Sequence, residues 1–301
     1  MPRDGDPKPG QVLPARSRGR LFVVGTPIGN LEDITFRAVR TLKEVDLIAC
    51  EDTRRTQQLL AHYSIPTRTV SYHQHNEMTR APELIIEMEE GSQIALVSDA
   101  GMPGISDPGY RLVHLAIRHE IPVIPVPGVS AFVAAISASG LPVDKFRFLG
   151  FLPSRKSARR KSLAELKSAA KALIFYEAPH RLLEMLEDVL EILGDRPAVV
   201  AREVTKLHEE FVRGLVSAVL RALKKKPVKG EITVLLGAAP AEQQNGRPAQ
   251  SIRLEVQDVM ANQGLEERDA LKAVARRRGI SKSEAYRRWE MEKGRAPRTA
   301  L

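Results

Sequence analysis

The sequence predicts an α/β protein made of two α/β domains and a small helical C-terminal appendage. Short apolar segments bounded by turn residues alternate with helical patterns, which is typical of a parallel sheet. The length of 301 residues favours about two domains. Two loops rich in glycine and proline, at 23–30 and 98–109, each follow an apolar segment. Because open α/β sheets hold nucleotide-like ligands at the carboxyl ends of their strands, these loops predict such a ligand.

Composition and charge exclude several classes of protein. The chain is 43% hydrophobic and 28% charged, which is ordinary for a soluble globular protein. Cys50 is the only cysteine, so a disulfide framework and a multi-thiolate zinc site are excluded, and a reducing cytosol fits. No segment has the length and apolarity of a membrane-spanning helix, and we expect a cytoplasmic protein. The net charge of +9 favours a polyanionic partner, because Lys and Arg displace counterions from phosphates.

The first domain is expected over 20–150, after a disordered tail over 1–19. Its predicted strands are Leu21–Val24, Asp46–Cys50, Ile94–Val97 and Val123–Val126. Asp33 is expected to cap one helix and Asp107, which precedes a proline, to cap another. Ser130 is expected to open a third helix whose small residues predict close packing on the sheet.

The second domain is expected over 151–238 and is followed by a linker over 239–252 with a Pro-, Gln- and Ala-rich composition. Its predicted strands are Ala172–Tyr176, Ala198–Val204 and Ile232–Leu236. Its predicted helices are Arg181–Leu193 and Leu215–Lys225.

The appendage over 253–301 is expected to be helical. A helical pattern spans Leu265–Arg278, and the capping box Ser281–Glu284 starts another helix that runs through Trp289. Two short helices across a turn resemble a helix-turn-helix unit. The segment 264–298 contains eleven Lys and Arg and six acidic residues. Contact with RNA and a simple packing role both remain open.

Three loops are expected to meet at one edge of the first sheet. The first loop, G-T-P-I-G-N, has neither the G-K-[ST] ending of a P-loop nor the dinucleotide pattern G-x-G-x-x-G. In the second loop, Asp99 directly follows a strand and is placed to accept a ribose hydroxyl or to face a cation. A third loop, V-P-G-V-S-A at Val126–Ala131, again follows a strand. Their common position predicts one shared ligand crevice.

Longer motifs carry a family resemblance. They are L-F-V-V-G-T-P-I-G-N-L-E-D-I-T, E-D-T-R-R-T, S-D-A-G-M-P-G-I-S-D-P-G, F-L-G-F-L-P, Y-E-A-P-H-R and R-E-V-T-K-L-H-E-E. In order and sequence they resemble the ribosomal-RNA 2′-O-methyltransferase branch of the tetrapyrrole methylase superfamily. The resemblance implies two α/β domains with S-adenosylmethionine in the cleft between them, usually in a homodimer. It also implies a substrate, the ribose of a decoding-region cytidine in 16S rRNA within the small subunit.

Site residues of the family transfer to this chain position by position. The positions that the resemblance assigns to the cofactor are Pro27, Asp99, Gly101, Pro103, Ile105, Ser106, Ser130 and Ala131. Tetrapyrrole-modifying relatives typically carry G-x-G-P-G-D and G-D-P in the first two loops. Here those segments are G-T-P-I-G-N and G-M-P, which favours an RNA substrate over a porphyrinoid.

Methyl transfer to a ribose hydroxyl requires alignment and a polar environment for a weakly acidic proton. The polar candidates are Glu51 with Asp52, Glu177 with His180, and Glu203 with Lys206. Asp52 and Arg54 are also explained by an ion pair beside a strand end, and His180 by a structural hydrogen bond. Glu177, Glu203 and Lys206 are the candidate catalytic residues, with Glu177 or Glu203 as a polar group that positions the substrate, and the general base stays open. The His and acid spacings fit no metal-ligand set.

A basic tract follows the junction of the two domains. Its cations are Arg155, Lys156, Arg159, Arg160 and Lys161. Seven basic residues and one acid lie between 155 and 171, so RNA contact is favoured over a solvated helix face. Competing functions are methylation of a tetrapyrrole or a protein on the same scaffold, and a ribosome-binding module without catalysis.

Overall fold

The computed structural model describes residues 18–225, 227–239, 252–278 and 280–293. It contains two five-stranded sheets and a group of C-terminal helices, so the predicted α/β class is confirmed. The greater part of the expected tail and of the expected linker lies outside the described residues. Gly19 is described, and its backbone N–H donates to the Met88 carbonyl at 2.8 Å.

The first sheet is parallel throughout, with strand order β3-β2-β4-β1-β5. Its strands are β1 (Arg20–Val24), β2 (Leu47–Cys50), β3 (Thr69–Ser71), β4 (Gln93–Val97) and β5 (Val123–Val126). The four predicted strands are present within one residue of their expected bounds. The short edge strand β3 was missed, because its sequence T-V-S has no apolar run.

Helices cover both faces of this sheet, as the continuous apolar strands require. They are α1 (Phe36–Glu44), α2 (Thr53–His62), α3 (Glu77–Glu89) and α4 (Tyr110–Arg118). Thr35, and not Asp33, caps α1, because its hydroxyl accepts from the Ala38 N–H at 3.1 Å. Asp107 caps no helix, since α4 begins after Gly109. Neither Asp33 nor Asp107 therefore caps the helix for which it was predicted.

The second sheet is mixed, with strand order β6-β7-β10-β8-β9. Its strands are β6 (Phe146–Phe151), β7 (Ala172–Glu177), β8 (Pro197–Arg202), β9 (Glu210–Leu215) and β10 (Ile232–Leu236). Only β6 and β7 pair in parallel. The two edge strands β6 and β9 were not predicted, because an arginine and a glycine interrupt the apolar residues of each one.

A short helix, α5 (Ala131–Ser137), links the two sheets. Ala135 and Ile136 are buried against Ile174, Val199 and Leu235 of the second sheet. We expected this helix to pack on the first sheet and the domain boundary to lie at residue 150. The structure instead packs the helix on the second sheet. Residues that pack in the second core therefore begin at α5, because the apolar face of this helix covers one face of the second sheet.

The other face of the second sheet is covered by α6 (Lys156–Ala164), α7 (Leu182–Leu193) and α8 (Val216–Leu223). The appendage forms α9 (Ile252–Gln263), α10 (Glu267–Arg278) and α11 (Lys282–Lys293). These three helices share their own apolar core around Val256, Val274 and Trp289. Ser281 caps α11 as predicted, since its hydroxyl accepts from the Glu284 N–H at 3.2 Å. None of the helices in the described ranges is long and apolar enough to cross a membrane.

The basic tract on α6 divides into buried and exposed cations. Arg159 is 1% exposed, and its Nε donates to the Asp188 carboxylate on α7 at 2.8 Å. Arg160 bonds the same carboxylate at 2.9 Å and also pairs with Glu191. Although burial raises the pKa of Asp188, these two arginines lower it below its usual value. RNA contact by Arg159 is therefore wrong, and Arg160 is committed to α7.

Replacing Arg159 with Ala is expected to lower the free energy of unfolding by about 3 kcal/mol, because Asp188 loses a buried partner. Urea denaturation at neutral pH measures the change. Lys156→Ala, on the exposed face of the same helix, is the matched control and should change stability by less than about 0.5 kcal/mol. Equal stability of the two variants would contradict a structural role for Arg159.

Candidate active site

The first sheet and the second sheet, each with its own covering helices, form two lobes. The main crevice lies between these lobes, at the carboxyl edge of the first sheet. Its volume is about 360 Å³, and its walls come from the loops after β1, β4 and β5 and from the ends of β6, β7 and β10. It is lined by Ile28, Ala100, Gly101, Met102, Ile105, Asp107, Ser130, Ala131, Phe151, Tyr176, Glu177, Ala178, Pro179, Val204, Gly230, Glu231, Ile232 and Thr233. The predicted shared crevice is thus present, and its second wall comes from the domain built on the second sheet.

A side crevice adjoins the main one and shares Ile28, Ala100 and Glu231 with it. It also measures about 360 Å³ and is more polar in its lining. Its other residues are Thr26, Pro27, Gly29, Leu31, Arg55, Thr56, Gln58, Leu59, Ser98, Asp99 and Lys206. Two adjoining cavities of this kind suit a reaction between two bound molecules.

Main-chain contacts hold the three loops together. Thr26 and Gly101 exchange backbone hydrogen bonds at 2.9 and 3.1 Å, and the Thr26 hydroxyl donates to the Ser98 carbonyl at 3.0 Å. Gly25 lies directly against Gly128, because a Cβ on Gly25 would come within 2.7 Å of the Gly128 Cα. The glycines of the first and third loops are therefore needed for close backbone packing.

The residues assigned by resemblance fall into three groups. Gly101, Ile105, Ser130 and Ala131 line the main crevice, whereas Pro27 and Asp99 line the side crevice. Pro103 and Ser106 line neither one. Pro103 is buried, and Ser106 has a left-handed backbone with φ of 64° and lies beside Gly150 of β6.

Asp107 is an ionisable group of the main crevice to which the sequence interpretation gave only a helix-capping role. Burial raises the pKa of its carboxyl to about 6, the nearby Glu51 and Asp99 carboxylates add to the rise, and a hydrogen bond with Ser98 opposes it. A carboxylate whose charge is poorly solvated gains most from a cationic ligand. The D-P dipeptide was the available signal, but it is equally typical of a helix start.

Arginines and a backbone amide surround the carboxylates beside the side crevice. Arg54 pairs with Asp52 at 2.9 Å, which confirms the predicted ion pair, and its hydrogen bonds lower the pKa of Asp52 to about 2. Asp99 accepts from the Asp52 N–H at 3.0 Å and pairs with Arg55 at 3.3 Å. Asp99 therefore holds α2 against the second loop while one edge faces the side crevice.

Glu177 lines the main crevice but its carboxylate is engaged. The residue is 2% exposed, accepts from the Ala178 N–H at 2.8 Å, and pairs with Arg181 at 2.9 Å. These bonds fix the Ala178–Pro179 turn that forms part of the crevice wall. His180 is exposed and lines neither crevice, so the structure places it away from the site.

Glu203 and Lys206 form an ion-paired loop between the crevices. Lys206 Nζ lies 2.9 Å from Glu203 and 3.2 Å from Glu231. Burial lowers the pKa of Lys206, but the two carboxylates raise it by a larger amount, so the net shift is upward. Lys206 is therefore a cation at neutral pH. Glu203 and Thr205 have φ of 52° and 69°, a left-handed conformation that is uncommon for non-glycine residues.

Lys206 crosses from the second lobe to the first loop at Gly29. A Cβ on Gly29 would come within 2.3 Å of the Lys206 Cε, and the Gly29 φ is 145°. Only glycine fits this contact without displacing the lysine.

Aromatic residues complete the second-lobe wall. Tyr176 accepts from the Phe132 N–H at 3.3 Å and stacks edge-on with Phe148. Tyr176 lies in the Y-E-A-P-H-R motif, which was the signal that could have identified it. The part of the chain that the structure describes holds no group of His, Cys, Asp and Glu suited to a metal ion.

Comparison with known proteins assigns the scaffold. The family model of tetrapyrrole (corrin/porphyrin) methylases matches residues 20–220. A Halalkalibacterium halodurans protein named ribosomal RNA small subunit methyltransferase I is 48% identical over 278 residues, 91% of this chain and 96% of its own. A Thermotoga maritima protein of the same name is 53% identical over 218 residues, 72% and 98% of the two chains.

A solved structure agrees at the level of the fold. Uroporphyrin-III C-methyl transferase from Thermus thermophilus, complexed with S-adenyl homocysteine, superposes with a TM-score of 0.51 at 22% identity. The match covers 73% of this chain and 97% of that one.

Substitution of Gly29 with Ala tests the contact between the lobes. We expect it to lower the free energy of unfolding, because the added Cβ overlaps the Lys206 side chain. In a Lys206→Ala background the overlapping atoms are gone, and the loss should fall to the backbone strain alone, about 1 to 3 kcal/mol. Urea denaturation of the four proteins in this cycle gives the coupling. Equal losses in the two backgrounds would show that Gly29 and Lys206 do not meet.

Proposed function

Because the chain belongs to the tetrapyrrole (corrin/porphyrin) methylase family, we propose that it methylates the ribose 2′-oxygen of a decoding-region cytidine in 16S rRNA. The methyl donor is S-adenosylmethionine, and the substrate is the small ribosomal subunit. Support comes from relatives named ribosomal RNA small subunit methyltransferase I that match most of this chain. The single structural observation that carries the proposal is the pair of adjoining crevices. We further propose a cytoplasmic homodimer, as the resemblance implies.

The main crevice suits the donor in size, polarity and charge. About 360 Å³ lies at the lower end of the range of small-molecule sites. Apolar walls from Ile28, Met102 and Val204 fit the hydrophobic parts of a nucleoside. The Asp107 carboxylate supplies a negative charge that attracts the cationic sulfur of the donor. When bound, S-adenosylmethionine supplies an electrophilic methyl carbon attached to a cationic sulfur.

The side crevice suits a ribose with its flanking phosphate. Arg55 of α2 and the protonated Lys206 of the second lobe supply positive charge in its lining, and Asp99 supplies an acceptor for a hydroxyl group. Glu203 and Glu231 hold the lysine ammonium in place.

Residues of this chain supply alignment and water exclusion for the transfer. Glu177 fixes the wall that faces the first lobe, and the Thr26–Gly101 bridge fixes the floor where the two crevices meet. Orientation of two reactants in this way supplies much of the acceleration in a displacement at carbon. Glu203 and Lys206 act as positioning residues in this proposal.

Methyl transfer into isolated small subunits tests the proposal. Subunits from a strain without this gene are incubated with the full-length protein and the donor labelled in its methyl group, and the RNA nucleosides are analysed by mass spectrometry. Label in 2′-O-methylcytidine supports the function. Label in protein or added porphyrinogen, or subunit binding without transfer, would overturn it.

Asp107→Asn should separate stability from donor binding. A carboxyl with a pKa of about 6 when folded binds more protons than when unfolded, so its ionisation destabilises the fold as pH rises from about 4 through 6. The variant should therefore gain about 1 to 3 kcal/mol of unfolding free energy above pH 7. It should also lose the preference for S-adenosylmethionine over the neutral S-adenosylhomocysteine.

Calorimetry between about pH 5 and pH 8 measures this preference. In the unsubstituted protein the preference should fall as Asp107 is protonated, and in Asp107→Asn it should be small at every pH. A variant that keeps the same pH profile would exclude Asp107 from donor recognition.

The exposed cations of α6 remain candidates for RNA contact. Arg155, Lys156 and Lys161 are exposed, and Arg155 lies four residues after Phe151 of the main crevice. Replacing all three with Ala should remove three phosphate contacts. The plot of log binding constant against log salt should then become less steep, with its slope smaller in magnitude by about 2. Lys224→Ala is the control, because Lys224, directly after α8, is paired with Glu187 of α7. An unchanged slope in filter binding of small subunits would exclude the tract.

A further inference from the structure

The solvent face of α1 carries an aromatic ring that packs against nothing. Phe36 is 97% exposed at the first position of the helix. Ala38 and Leu42 form the buried face, and Phe36 lies opposite them. A fully exposed phenylalanine contributes nothing to the core, so its ring is available to a partner.

Cations share this face with Phe36. Arg40 and Lys43 follow at the fourth and seventh positions after Phe36, so the three side chains form one stripe along the helix. Arg37 is exposed beside them. None of these three cations pairs with a carboxylate within the described ranges, unlike Arg54, Arg159 or Arg160. The stripe is therefore an aromatic ring followed by free positive charge.

The stripe begins five residues after Leu31 in the chain, and Leu31 lines the side crevice. Leu31 is 40% exposed, and its carbonyl accepts from the Tyr63 hydroxyl at 2.6 Å. The Thr35 hydroxyl reaches the Pro127 carbonyl at 3.4 Å, which fixes the start of α1 beside the third loop. From the other lobe, Leu207 is 93% exposed and adjoins Lys206. Exposed apolar groups thus flank the opening from both lobes.

This combination matches the chemistry of a single RNA strand. Bases of single strands stack on aromatic rings, and their phosphates bind Lys and Arg. The core of a protein–protein interface is depleted in charged residues, whereas three cations surround Phe36. The order along α1, with the ring nearest the crevice and the cations beyond it, follows the order of a base next to the reacting ribose and the backbone leading away.

We propose that the solvent face of α1 binds the RNA strand beside the target nucleotide, with Phe36 stacked on a base and Arg40 and Lys43 on its phosphates. The proposal rests on the proposed function for its substrate class, and it identifies contacts that neither the sequence motifs nor the basic tract on α6 indicated. Phe36 is a specificity and positioning residue here, since it lies outside both crevices.

Binding of a fluorescein-labelled oligocytidylate and methylation of small subunits test the proposal in the full-length protein. Phe36→Ala should weaken oligonucleotide binding by between about 5-fold and about 100-fold, the range for loss of one stacked base. It should raise KM for subunits and leave donor affinity and thermal stability unchanged. Phe36→Trp should restore binding, whereas Phe36→Leu, which keeps the apolar bulk, should not.

Charge is tested separately by Arg40→Ala with Lys43→Ala. Loss of two single-strand phosphate contacts should lower the salt slope by about 1.4. The matched control is Ile117→Ala with Arg118→Ala, an exposed apolar and cationic pair on α4 that should bind like the unsubstituted protein.

Three outcomes overturn the proposal: binding and KM unchanged in Phe36→Ala, full binding in Phe36→Leu, or a changed sedimentation coefficient without a change in RNA binding. The last would make the stripe a contact between protein chains. Failure of the proposed function is distinguishable, because an unsubstituted protein that binds RNA through Phe36 but transfers no methyl group would retain this inference. Normal transfer in all α1 variants would retain the function alone.

Discussion

Packing of α5 against the second sheet is the interaction on which the site depends. The chain leaves the first sheet after β5, turns through the third loop, and buries Ala135 and Ile136 on the opposite lobe. Arg213 of β9 donates to the carbonyls of Ala138 and Ser139 at the end of the same helix. Because the third loop leads directly into α5, docking of that helix brings the loop edge of one sheet against the strand ends of the other.

The cations of this protein have separate tasks according to burial. Arg159 is enclosed with Asp188 and contributes to folding, whereas the neighbouring exposed cations of α6 are solvated. Lys206 is in an intermediate position, paired on one side with Glu203 and open on the other to the side crevice. A buried charge requires a fixed partner, since desolvation is otherwise unfavourable, and only partly exposed charges remain available to a ligand.

The site also concentrates features that oppose stability. Asp107 is held where its ionised form is poorly solvated, and Glu203 and Thr205 keep left-handed backbones in a short loop. Glu177 is buried among crevice residues and needs Arg181 to compensate its charge. Such features persist when a ligand or a reaction uses them, because the surrounding packing supplies the required stabilisation.

The α/β class, the central strands and the three loops at one sheet edge could be predicted from the sequence alone. Apolar runs and glycine-rich turns encode these locally, and the family motifs added the assignment of Gly101, Ile105, Ser130 and Ala131 to a crevice wall. Edge strand β3 was missed because it is short and has no apolar run, and β6 and β9 were missed because an arginine and a glycine interrupt each of them. The folded structure was needed to show that α5 belongs to the second core, that Asp107 faces the crevice rather than a helix end, and that Arg159 is buried. Each of these depends on which distant segment covers a residue, and neighbouring positions in the chain do not specify that partner.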